Sequence, residues 1–253
     1  MKRPNLLRTL TEPARATGEL ATSVSLLPFF RMLPRGDGHT VLVLPGFMAS
    51  DGSTRPLRRM LAALGYQAHG WGLGRNVGPT ERVVNDMPER VDRLSGESGE
   101  PISVVGWSLG GIYARHLAAR TPELIRSIVT LGSPVRSEAR RATNASPLFE
   151  ALGAIHVPGH PLLDDGHPLG VPVTAVHTRS DGIVPWQTCL IQEGPNAENL
   201  RVRGSHIGLG VNPAALYIIA DRLGQPIGGW RPFEAPVPYR RIVTRAPGAP
   251  GAG

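Results

Sequence analysis

From residue 40 onward, apolar residues follow two alternating rhythms. Short segments at Val41–Leu44, Tyr66–Trp71, Ile102–Trp107, Ser127–Leu131, Val171–His177 and Leu200–Val202 read as strands, and most of them are nearly all apolar, as strands buried on both faces are. Between them, apolar residues fall three or four apart. Leu57, Met60, Leu61 and Leu64 predict a helix over 54–64, and Val83, Val84, Met87, Val91 and Leu94 predict one over 80–94. Ile112–Arg120 and Pro213–Leu223 continue the series. Alternating strands and helices predict a mostly parallel sheet with helices on both faces, forming one domain over 39–224.

Three segments break the rhythm. Residues 136–170 are rich in Pro, Gly, His and Asp, with a weak helical patch around Leu148–Leu152; this predicts a small cap inserted over one edge of the sheet. Residues 225–253, dominated by Pro, Gly and Arg around Trp230, Phe233 and Tyr239, read as an extended strap that frays from Ala246 onward. Residues 1–38 form a helical or irregular N-terminal segment. Glu12, Arg15 and Glu19 interrupt its apolar residues, which argues against a secretory signal, and no run is long enough to span a bilayer. Leu26–Leu33 has two readings: a surface lying on lipid, or a helix packed on the domain.

The net charge is +7, and Lys2 is the only lysine among 27 basic residues. Arginines scattered along a Gly- and Pro-rich chain form no phosphate-tracking stripe, so nucleic acid is not an expected partner; a weak attraction to anionic membrane surfaces is. Cys189 is the single cysteine, which excludes an intrachain disulfide and reads as a buried small hydrophobe. A cytoplasmic location with peripheral membrane association is the expectation. No metal-ligand spacing is present, and Gly70–Asn76 lacks the glycine pattern of a dinucleotide loop. Neither a metal nor an organic cofactor is expected.

The chemistry lies in Gly106-Trp107-Ser108-Leu109-Gly110-Gly111. A strand runs directly into Gly-x-Ser-x-Gly and a helix follows, as in a nucleophile elbow that exposes a serine hydroxyl. Ser108 is therefore the candidate nucleophile. A serine needs a base within hydrogen-bond reach and a third group to orient that base. Among eight histidines, His206 in Gly204-Ser205-His206 follows the last strand, where parallel sheets display functional side chains. Asp181, in Ser180-Asp181-Gly182-Ile183-Val184-Pro185, follows the strand ending at His177. Asp164 and Asp165, the competing acids, read as solvated residues of the cap. An oxyanion hole requires two backbone N–H groups: that of Leu109, and that of Phe47 in Leu44-Pro45-Gly46-Phe47-Met48, with Met48 the nearest alternative. Phe47, Met48 and Trp107 are the candidate substrate contacts.

These motifs, in this order, resemble the α/β-hydrolase superfamily and its lipase and esterase branch over residues 40–223. Thr130-Leu131-Gly132-Ser133-Pro134 resembles the segment that bacterial lipases place after the strand following the elbow. Leu44-Pro45-Gly46-Phe47 departs from the His-Gly of many lipases. The resemblance implies an α/β-hydrolase fold and hydrolysis of small-molecule or lipid esters through Ser108, Asp181 and His206. The same triad also serves acyltransferases and thioesterases, and a non-catalytic binding protein on this fold is a third reading. The oligomeric state is left open.

Overall fold

The apolar runs become adjacent strands of one sheet. In the computed structural model, which describes residues 3–136, 142–158, 166–237 and 240–247, these are β1 (Thr40–Leu44), β2 (Gln67–Gly70), β3 (Ile102–Trp107), β4 (Ile125–Leu131), β5 (Val173–His177) and β6 (Ala197–Val202). They lie in the order β2-β1-β3-β4-β5-β6, all parallel. The chain leaves β1 toward β2, then returns past β1 to β3. Connections therefore depart in opposite directions at β1 and β3, and the crevice beyond their C-terminal ends is where open α/β sheets place ligands.

Alternate residues of each strand serve opposite faces. Val41, Val43, Val105, Val129 and Leu200 pack with α2 (Asp51–Ala63) and α6 (Pro213–Leu223). Leu42, Leu44, Val104, Ile128 and Val173 pack with α3 (Glu81–Ser98) and α4 (Leu109–Arg120). Caps set the helix limits. The side chain of Thr80 accepts from Val83 N at α3, whose end is closed by Gly99 at φ 72°. Asn212 accepts from Ala214 and Ala215 at α6. Three helices exceed their predicted spans, and α4 starts at Leu109 rather than Ile112 because Gly110 and Gly111 carry no apolar period. α2 begins at Asp51, because Asp51-Gly52-Ser53 is polar and leaves no apolar period to read; α3 runs on past Leu94 through polar Ser95–Ser98.

The flanking segments add structure that the pattern does not show. Residues Leu6–Ser25 form a long helix, α1, capped by Asn5. Its burial is inverted: Glu12 is fully buried while Leu6, Leu7 and Leu10 are exposed. The C-terminal strap enters the sheet, contrary to the expected fraying from Ala246. Val243–Ala246 forms β7, antiparallel to β6, with Val243 opposite Val202 and Ala246 opposite Asn199. Pairing completes the backbone hydrogen bonds of an otherwise open edge. Tyr239 and residues 248–253 lie outside the described residues. In the cap, the described part holds a short helix, α5 (Ser146–Ala151), and a 3-10 turn, Gly153–Ile155; Asp164 and Asp165 lie outside the described residues. No helix among the described residues is long and apolar enough to cross a membrane.

Candidate active site

Ser108 stands between β3 and α4 with φ 51° and ψ −117°, a conformation that costs a non-glycine residue about 1–3 kcal/mol. The surrounding backbone enforces it. Ser108 N–H donates to the Leu131 carbonyl at 2.8 Å, and the Ser108 carbonyl accepts from Gly111 at 3.0 Å. The glycines are steric necessities: a Cβ on Gly106 would fall within the backbone of Gly110 and Gly111, and one on Gly110 would strike the Leu44 carbonyl.

The partners chosen from the sequence come together at this turn. Ser108 Oγ lies 3.0 Å from His206 Nε2, and His206 Nδ1 lies 2.7 Å from Asp181 Oδ2. The other Asp181 oxygen accepts from the amides of Ile183 and Val184, each at 2.8 Å. That leaves Oδ2 for the imidazole and favours the tautomer with its proton on Nδ1. Both partners are buried. Burial pushes His206 down, but the Asp181 charge and hydrogen bond, together with the Glu12 charge, raise it above its ordinary value of 6.5.

The loop after β1 lies against the serine, where a Cβ on Gly46 would be 3.2 Å from Ser108 Cβ. Two amides are available beside the hydroxyl. Leu109 opens α4, where the first N–H groups have no intrahelical acceptor, and the Phe47 N–H has no acceptor among the described residues. The alternative donor, Met48, is already engaged: its N–H donates to the Asn76 carbonyl at 2.7 Å. Met48 itself sits at φ 62°. The Phe47 ring meets Phe149 of α5 at 5.4 Å between centroids, so the cap touches the loop beside the serine. Trp107 is turned away from this contact. Its indole N–H donates to the His206 carbonyl at 3.1 Å, and its ring faces Gly210.

Two features escaped sequence reasoning. Fully buried Asn76 fastens the β1 loop: its side chain donates to the Pro45 carbonyl at 2.8 Å and its backbone N–H to that of Ala49 at 2.8 Å. Only its place in a Gly-rich stretch distinguished it. The second is α1, whose Glu12 and Glu19 reach the loops carrying Asp181 and His206. Their spacing of seven on one helical face was the available signal. Among the described residues no group of His, Cys, Asp and Glu could hold a metal, and burial pushes the Cys189 thiol well up.

A family model described as the alpha/beta hydrolase fold matches residues 44–155, a span that includes Phe47 and Ser108. The pimeloyl-acyl-carrier-protein methyl ester esterase of Chromobacterium violaceum is 29% identical over 164 residues, covering 58% of this chain and 61% of that protein. The esterase of the same name from Shewanella woodyi is 30% identical over 98 residues, 39% of this chain and 37% of that protein. The chain thus spans less than two thirds of these relatives. Among solved structures, Aspergillus fumigatus lipase B superposes with a TM-score of 0.58 at 14% identity, over 76% of this chain and 54% of that one. The sheet order, the elbow and these likenesses define an α/β-hydrolase fold. Over residues 44–155 the chain is similar to that family.

Proposed function

We propose that the chain is a serine hydrolase that cleaves carboxylic esters through an acyl-enzyme. The observation that carries this reading is the continuous line from Ser108 Oγ through His206 to Asp181, at 3.0 and 2.7 Å. Ser108 Oγ attacks the ester carbonyl carbon as His206 Nε2 takes its proton. The oxyanion of the tetrahedral intermediate lies against the amides of Leu109 and Phe47. The intermediate collapses, the C–O bond to the alcohol breaks, and His206 returns the proton to the departing alkoxide. Water then repeats the cycle on the acyl-enzyme and releases the acid. Asp181 holds the imidazole and favours its charged form. Phe47, Met48 and Phe149 offer an apolar boundary to the acyl group.

A chain-length series of p-nitrophenyl esters, with wild type and Ser108→Ala in parallel, tests this. Serine-dependent turnover is expected, and its optimum separates esterase from lipase. Turnover only with an added alcohol acceptor or a thioester would move the function to an acyltransferase or thioesterase. Turnover that persists in Ser108→Ala would contradict the reading.

A peripheral contact with anionic membrane belongs to the same proposal. Leu27, Phe29 and Met32 after α1 are 53%, 60% and 81% exposed. Beside them a groove of about 660 Å³ has Arg31 and Arg35 on one wall and Arg55 and Arg59 on the other. Apolar side chains among arginines suit insertion between anionic headgroups. Cosedimentation with anionic but not neutral vesicles is expected, and its loss in Phe29→Ser would locate the contact; absence of binding to either would remove it.

A further inference from the structure

Glu12 is a fully buried carboxylate in a helix that exposes its leucines. Its two oxygens accept from two different loops. Oε1 takes the amide of Gly182 at 2.8 Å, and Gly182 follows Asp181. Oε2 takes the amide of Ile207 at 2.8 Å, and Ile207 follows His206. One turn further on, Arg15 donates to Glu12 Oε1 at 2.7 Å and to the Ser180 carbonyl at 3.0 Å. Glu19, two turns along the same face, accepts from the amide and hydroxyl of Ser205 at 2.7 and 2.6 Å and from Asn212 Nδ2 at 2.7 Å. Thr9 Oγ1 donates to the Gly182 carbonyl at 2.6 Å.

The glycines of both loops fit this approach. A Cβ on Gly182 would meet the Arg8 backbone at 2.6 Å, and one on Gly208 would meet the Glu19 carboxylate at 2.5 Å. Burying a carboxylate is costly unless strong donors answer it, and here two amides and a guanidinium do. An apolar residue at position 12 could pack α1 on the domain but could not join the two loops. The groups facing His206 are Asp181 from the acid loop and Glu12 from α1, with Arg15 and Glu19 one and two turns beyond Glu12.

We infer that Glu12 is a positioning residue for the Asp181–His206 pair. It ties the acid loop to the base loop, and its charge joins that of Asp181 in favouring the imidazolium formed when His206 takes the Ser108 proton. This rests on the triad reading above. Misplacing a catalytic group by about 1 Å can cost on the order of 100-fold, and a carboxylate bridging two loops controls displacements of that size.

The test is Glu12→Gln, which keeps the shape, removes the charge and presents an NH₂ to one of the two amides. A 10- to 100-fold loss of kcat is expected with KM little changed. The acid limb of kcat/KM should shift to lower pH, a change that a purely structural residue would not produce. Glu12→Asp, run beside it, keeps the charge but is one methylene too short to reach both amides; it should lose kcat without the pH shift. If Glu12→Gln does not fold, wild-type kcat in Glu12→Asp overturns the inference. Ser108→Ala separates the two claims. An inactive Ser108→Ala beside a Glu12→Gln with unaltered kcat and pH profile would overturn the role of Glu12 alone, whereas an active Ser108→Ala would overturn the triad.

Discussion

The backbone carbonyl of Asn76 accepts the amide of Met48 at 2.7 Å, and this bond occupies the Met48 N–H within the β1 loop. With Met48 engaged, Phe47 keeps an N–H that has no acceptor among the described residues. Asn76 also holds Pro45 through its side chain, so the loop is fastened on both sides of Phe47. Asn76→Ala removes the side-chain bond and leaves a buried carbonyl without its donor, a cost of about 1–3 kcal/mol. A lower melting temperature and a reduced kcat with KM little changed are expected from melting curves and steady-state kinetics. Unchanged kcat would separate Asn76 from the oxyanion hole.

Asp181→Asn preserves volume but presents either the wrong atom or a different tautomer to His206 Nδ1. A loss of kcat on the order of 10⁴ is expected, as for the same change in other serine triads. Circular dichroism should be unchanged, since the neighbouring amides of Ile183 and Val184 still have an oxygen to bond. A loss below tenfold would remove Asp181 from the triad.

His206 must be neutral to accept the Ser108 proton. Its raised value means that protonation sets in above pH 6.5 as pH falls. The acid limb of kcat/KM, which reports the free enzyme, should therefore have its midpoint above about 6.5. A midpoint below 6 would show that Asp181 and Glu12 do not act on the imidazole as the geometry requires.

His177, at the end of β5, is fully buried with no hydrogen-bond partner for either ring nitrogen among the described residues, and it stacks on Trp186 at 5.6 Å. Burial, with the Arg201 and Arg179 charges, pushes it down to about 4. Below pH 6.5 the unfolded chain protonates this residue and the folded chain does not. Stability is thus intact above 6.5 and is lost progressively as pH falls toward 4, to a total of about 3 kcal/mol. His177→Phe, which keeps the stacking, should flatten the melting temperature between pH 7 and 4.5. An identical pH dependence in variant and wild type would contradict this.

The central strands were legible because strands buried on both faces are mostly apolar, whereas β6 was read only from Leu200 because its first half carries the buried polar residues Glu198 and Asn199. The elbow was legible because its glycines answer a steric demand visible within six residues. Asp181 and His206 could be placed because functional loops follow strand ends. Glu12 could not: a carboxylate in a helix ordinarily marks the solvent face, and only the tertiary approach of α1 to two distant loops makes it an internal group. Asn76 acts through both its backbone and its side chain on carbonyl and amide groups of distant loop residues, which leaves little compositional trace. β7 was hidden because its four residues, Val243–Ala246, lie in a stretch rich in Arg and Pro, and their strand character comes from the open edge of β6. Trp107 was read as a substrate contact from its place beside the serine, but the sequence could not show that its indole would bond to His206.

The most direct measurement is covalent labelling with an alkyl fluorophosphonate, read by mass spectrometry of intact protein and peptides. Ser108 Oγ forms the P–O bond, fluoride leaves, and His206 takes the proton. One adduct per chain is expected, on the peptide containing Ser108, absent in Ser108→Ala and greatly slowed in His206→Ala. No adduct, or an adduct elsewhere, while Ser108→Ala still hydrolyses esters would contradict the serine-hydrolase account.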